Sequence, residues 1–129
     1  MGLLVLVAAG LQAADAKVDT SKLPAAAAKA GVSFDRDIKP ILEKSCFKCH
    51  SGEKPKSKYR MDTRAGAIKG GSEGEAIKPG KSAESPMIHF SADLVPEMEM
   101  PPIDKRDEYP ALTRDQIALL RAWIDQGAK

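Results

Sequence analysis

Both cysteines of this chain and one of its only two histidines fall within five consecutive residues, Cys46-Phe-Lys-Cys49-His50. No other stretch constrains the fold as tightly. Two thiols and an imidazole at this spacing must serve one centre, and the remaining chain has to be wrapped around whatever that centre holds. In a Cys-x-x-Cys-His segment the thiols add across the two vinyl groups of haem as thioethers, and the adjoining imidazole lies under the iron as its proximal ligand. The motif therefore points to one covalent haem c, with Cys46 and Cys49 as its anchors and His50 as the proximal iron ligand.

Each competing reading needs a companion feature. A structural zinc site needs a fourth ligand, usually from a second Cys or His pair at short spacing, and the other histidine, His89, stands alone 39 residues on. A thioredoxin-like dithiol needs a strand-to-helix junction in a βαβ pattern, whereas the approach to Cys46 has a helical pattern. A disulfide between residues so close would close a tiny loop and stabilise little.

The 129 residues suit a single domain with a tail. Only 5% are aromatic, so a core this poor in rings gains much from a large apolar ligand at its centre. A net charge of +2, with no cluster of cations interleaved with aromatics, argues against nucleic acid as a partner.

Residues 3–9, Leu-Leu-Val-Leu-Val-Ala-Ala, form an apolar run too short to span a bilayer, so no stable membrane span is expected. Ala13 and Ala14 suit cleavage, and residues 1–14 read as an export signal, although no Lys or Arg precedes the run. A periplasmic location follows, and it fits the motif, because haem is joined to such apoproteins outside the cytoplasm. Residues 15–31, rich in Ala and Lys, read as a leader or linker, with a short Ala-rich helix over 25–30 as the alternative. Residues 32–129 then form the domain.

Within that domain the hydrophobic period is helical almost throughout. Phe34, Ile38, Ile41 and Leu42 share one stripe of a helix over 34–45, which Ser33 would cap and Pro40 would kink or divide. A second, shorter helix opens at Asp62 or Thr63, runs through Ile68 and stops at Gly70-Gly71. A third opens at Ser82 or Ser85 and runs to about Ser91, with Pro86 in its first turn. Residues 92–112, with prolines at 96, 101, 102 and 110, are expected to be free of helix. Thr113-Arg-Asp-Gln116 is a capping box for a last helix whose Ile117, Leu119, Leu120, Trp123 and Ile124 form adjoining apolar stripes before Gly127.

An electron-carrying haem iron benefits from two axial ligands, and a thioether raises its potential relative to a second imidazole. Met100 is the favoured distal ligand, because Pro101-Pro102 stiffens the loop that presents it. Met98 on the same loop is the first alternative and His89 the next. Met61 and Met87, beside helix starts, read as core filler. His50 needs an acceptor for its second ring N–H, and the Pro55 carbonyl lies within loop reach. Tyr59, Arg60, Arg64 and Lys58 are candidates for holding the haem propionates.

Several segments together resemble the class I cytochrome c family, and more closely the planctomycete-type cytochrome c domains. They are Phe34-Asp-Arg-Asp-Ile-Lys-Pro-Ile-Leu42 before the motif, then Arg60-Met-Asp-Thr-Arg64, Lys69-Gly-Gly71 and Lys78-Pro-Gly80 after it. Met100-Pro-Pro102 and Leu112-Thr through Trp123-Ile-Asp-Gln-Gly127 complete the set. The resemblance implies an all-α, class I cytochrome c-like fold. In such a fold the first and last helices pack around covalent haem, with Met100 as distal ligand. Met61 departs from the pattern, standing where such domains more often carry another aliphatic residue.

The leading expectation is a monomeric one-electron carrier with redox-protein partners. Lys48, Lys54, Lys56 and Lys58 would form a cationic rim for an acidic partner. The alternative is a haem enzyme or gas sensor with an open or labile distal site. No paired carboxylates, and no nucleophile beside a base, suggest chemistry apart from the iron.

Overall fold

Pro40 determines how the first helix is built. In the computed structural model, which describes residues 17–129, the segment Phe34–Ile38 winds as a π-helical turn before α1, Lys39–Ser45. A proline has no N–H to donate and its ring crowds the carbonyl four residues back, and a widened turn relieves both. The Lys39 N–H accordingly bonds to the carbonyl of Phe34, five residues back. Ser33 occupies the capping position but its side chain caps nothing. The Ser33 N–H instead donates to the Asp37 carboxylate at 2.9 Å, which also receives Lys29 at 2.8 Å and Arg36 at 2.9 Å.

The other three helices are α2, Arg64–Lys69, α3, Pro86–Ser91, and α4, Arg114–Asp125. Thr63 rather than Asp62 caps α2, its hydroxyl accepting from the Gly66 N–H at 3.1 Å. Ser85 precedes α3, but its hydroxyl bridges the Lys78 N–H and the Lys81 carbonyl, while Ser82 belongs to a separate 3-10 turn, Ser82–Glu84. A 3-10 turn at Ile103–Lys105 interrupts the proline-rich stretch that the sequence suggested would be free of helix. Among the described residues there is no β-strand, only an isolated bridge between Gly71 and Gly74.

α4 is the centre of the core. Both bonds of the Thr113/Gln116 capping box form, at 3.1 and 2.9 Å. At the other end Gly127 takes φ +100°, and the N–H groups of Gly127 and Ala128 reach back to the carbonyls of Ile124 and Trp123. This double closure satisfies carbonyls the helix would otherwise leave open. Ile117, Leu120, Trp123 and Ile124 are buried against Phe34, Ile38, Leu42, Ile77 and Ile88. Burying each such side chain is worth roughly 1.5–3 kcal/mol. Phe34 and Trp123 meet with ring centroids 5.6 Å apart, so the turn before α1 packs on α4. The Trp123 indole N–H is satisfied by the Lys129 carbonyl at 2.8 Å, and the Phe34 N–H by the same oxygen at 2.9 Å.

Residues 17–31 contain no helix and lie along α4 as an extended strap. The Ala27 N–H donates to the Ala118 carbonyl at 2.9 Å, and Arg114, Arg121 and Gln126 donate to the carbonyls of Lys22, Pro24 and Lys29. Leu23 and Ala27 pack on the core. The export-signal expectation for residues 1–14 lies outside the described residues. No helix among the described residues is long and apolar enough to cross a membrane.

Candidate functional site

The motif begins where α1 ends. Cys46 takes the C-cap position of α1, and the Cys49 and His50 N–H groups both bond to its carbonyl, which winds residues 46–50 into a tight turn. Both thiols are free and half-buried. Burial, with the neighbouring Cys49 adding to it, pushes the Cys46 thiol up to about 12. A redox dithiol needs the opposite, a thiol held low enough to ionise. The buried Cys46 thiol and the absence of a β-strand among the described residues both argue against the thioredoxin-like reading. Among the described residues no three Cys, His, Asp or Glu side chains converge as metal ligands.

The loop from Ser51 to Arg60 is closed at its base by the Met61 N–H on the His50 carbonyl and the Lys56 N–H on the Cys49 carbonyl, both at 2.7 Å. It returns to the imidazole from the side. His50 Nδ1 lies 3.1 Å from the Lys56 carbonyl oxygen. A carbonyl only accepts, so Nδ1 carries the proton and Nε2 keeps its lone pair. Burial lowers the affinity of His50 for a further proton, with the Lys56 and Tyr59 carbonyls opposing it in part. The acceptor is one residue beyond the Pro55 carbonyl expected from the sequence, and the Lys56 carbonyl receives the Tyr59 N–H at 3.1 Å as well.

The donor set fits a covalent haem. Two free thiols stand one turn from a neutral imidazole whose second nitrogen is already engaged, the arrangement a ligating histidine needs. Ile41, Phe47, Tyr59 and Ile68 are only partly buried against the core and supply apolar surface. The Tyr59 ring lies 5.4 Å from the His50 ring, and its hydroxyl donates to the Ala67 carbonyl at 2.7 Å, tying the loop to α2. Burial raises the Tyr59 hydroxyl well above its usual value.

The propionate candidates divide. The Tyr59 hydroxyl is committed to Ala67, and Arg64 donates to the Ala128 carbonyl at 3.0 Å. Arg60 pairs with Asp62 through two bonds, of 3.0 and 2.7 Å. Two open grooves of about 490 and 420 Å³ flank the loop, and Lys58 and Arg60 line both.

The methionines separate just as clearly. Met61 and Met87 are buried in the core, whereas Met98 and Met100 are half-buried on the loop after α3. The Met100 N–H donates to the Phe90 carbonyl at 3.0 Å, and Met98 is held only by a local turn to Val95 at 3.1 Å. His89 Nε2 is bound to the Ala83 carbonyl at 2.7 Å. One feature of this loop has no signature in the sequence: Arg106 donates to the Pro101 carbonyl at 3.0 Å and to both Asp93 oxygens at 2.9 and 2.6 Å. These residues are separated by a stretch without periodicity, so only the folded chain reveals their pairing.

No curated protein and no solved structure matches the chain. Residues 46–104, from the first cysteine of the motif to just beyond Met100-Pro-Pro102, match the family model of planctomycete cytochrome C, a family that implies covalent haem c. Residues 46–104 thus match a planctomycete-type cytochrome c domain.

Proposed function

We propose that the protein is an exported, single-haem electron carrier with Cys46 and Cys49 as covalent anchors, His50 as proximal ligand and Met100 as distal ligand. The observation that carries this reading is the 3.1 Å contact between His50 Nδ1 and the Lys56 carbonyl. It leaves Nε2 as the ligating nitrogen, on a turn with two half-buried free thiols. When bound, haem supplies one reversible electron at its iron.

The chain's own residues do the rest. The Lys56 carbonyl fixes the His50 tautomer and ring plane and raises the basicity of Nε2. Cys46 and Cys49 would hold the haem through thioethers, and His50 and Met100 would stay its ligands in both oxidation states, keeping reorganisation small. Met100 is favoured over Met98 because its backbone is anchored to α3 at 3.0 Å, and a fixed backbone limits where the sulfur can go. Lys48, Lys54, Lys56 and Lys58 are all exposed beside this turn and would steer an acidic redox partner towards it.

A pyridine haemochrome spectrum, with ferric spectra of the wild type and Met100→Ala, tests the assignment. Covalent haem with a far-red sulfur-to-iron charge-transfer band that Met100→Ala abolishes is the expected result. A high-spin ferric wild type that binds carbon monoxide readily would move the assignment to an open-site enzyme or sensor.

A further inference from the structure

The distal loop is held at several points, and two of them run through one side chain. α3 ends at Ser91 with Ala92 as its C-cap, and Asp93 turns the chain away in the left-handed region at φ +59°. The Met100 N–H then returns to the Phe90 carbonyl at 3.0 Å. Beyond it the Arg106 guanidinium spans the loop, giving Nε–H to the Pro101 carbonyl at 3.0 Å and Nη1–H and Nη2–H to the two Asp93 oxygens at 2.9 and 2.6 Å. The Arg106 side chain is 22% exposed, so this fork is partly shielded from water. A planar guanidinium can bind a carboxylate through two nitrogens and a carbonyl through the third, whereas an ammonium cannot hold all three acceptors in that plane.

We propose that Arg106 is the positioning residue for the distal ligand, clamping the start of the loop at Asp93 to the carbonyl of the residue after Met100 so that the methionine side chain is delivered to one place. The inference rests on the assignment of Met100 as distal ligand. Without the clamp, the loop keeps the Leu94 N–H on the His89 carbonyl at its start and the Met100–Phe90 bond, nothing holds the carbonyl after Met100 to Asp93, and the sulfur becomes a ligand that competitors displace.

The test titrates ferric holoprotein with imidazole, following loss of the far-red sulfur band, in the wild type, Arg106→Lys, Asp93→Asn and the double variant, with Met100→Ala as the ligand control. The half-displacing imidazole concentration is expected to fall about tenfold in Arg106→Lys, since charge-assisted hydrogen bonds are worth about 1.5–3 kcal/mol and 1.4 kcal/mol is tenfold. Asp93→Asn should act in the same direction, and the double variant should be little worse than either single change, because both remove one network. A titration unchanged in Arg106→Lys, with the band still abolished by Met100→Ala, overturns the clamp and leaves the ligand assignment standing. So does a variant that melts earlier but titrates like the wild type, which would make Arg106 merely structural. A band that survives in Met100→Ala overturns the ligand assignment and the clamp with it.

Discussion

His50 Nδ1 stands 3.1 Å from the carbonyl oxygen of Lys56, and the turn that presents this carbonyl is gripped in turn by Gly71 and Ser72. The Ser57 carbonyl, next in the chain, accepts the Ser72 N–H at 2.7 Å and the Ser72 hydroxyl at 3.0 Å. A Cβ added at Gly71 would lie 2.1 Å from that same oxygen. Backbone on both sides leaves nothing flexible to give way. Gly71→Ala is expected to destabilise the protein by about 1–3 kcal/mol, the usual range for overpacking. It should also shift the reduction potential as the Lys56 carbonyl moves off His50. Denaturant melts and a potentiometric titration check the two effects together.

The Asp37 carboxylate meets Arg36, Lys29 and the Ser33 N–H. These hold it far below the usual carboxylate range, with the Arg36 hydrogen bond as the largest cause. Its folded value is depressed, so its contribution is present above the unfolded value of about 4 and is lost as pH falls below it. Asp37→Asn should therefore lower the urea midpoint at pH 6, and the gap to the wild type should only begin to narrow as pH falls below about 4, closing as pH approaches the depressed folded value. Parallel pH profiles for the two proteins would show that the cluster is not linked to folding.

Replacing Lys54 and Lys58 by Glu should slow association with an acidic redox partner and reverse its dependence on salt, while leaving the reduction potential close to that of the wild type. Exposed rim charges act mainly on encounter and are screened within roughly 8 Å at physiological ionic strength. Stopped-flow reduction across a series of salt concentrations gives the answer.

The two ends of the α4 core should respond very differently. Thr113→Ala removes one helix cap and should cost about 1 kcal/mol with the haem spectrum unchanged. Trp123→Ala removes a fully buried ring, its contact with Phe34 and its bond to Lys129. It should cost about 3–5 kcal/mol. Thermal melts of both variants test the ranking.

Much of this protein is legible in its sequence because the information is local. The Thr113/Gln116 capping box, Gly127 as the stop of α4, Thr63 beside the start of α2 and the division of the first helix at Pro40 each depend on residues within a turn or two of one another. The Cys46 to His50 spacing is local in the same sense, since five adjacent residues suffice to put two thiols and an imidazole on one turn. Tertiary structure decided the rest, because the partners come from distant parts of the chain or are backbone atoms that every residue possesses. The acceptor for His50 is the Lys56 carbonyl and not that of Pro55, a choice set by how the loop folds back on the imidazole. Arg106 found Asp93 and Pro101 only once α3 and the proline-rich loop had folded back. The strap over α4 is bound through carbonyls, which leave no trace in residue type. Side-chain chemistry at short spacing put two thiols and an imidazole on one turn, and backbone geometry brought together by the fold determined how His50 is oriented and how the Met100 loop is held.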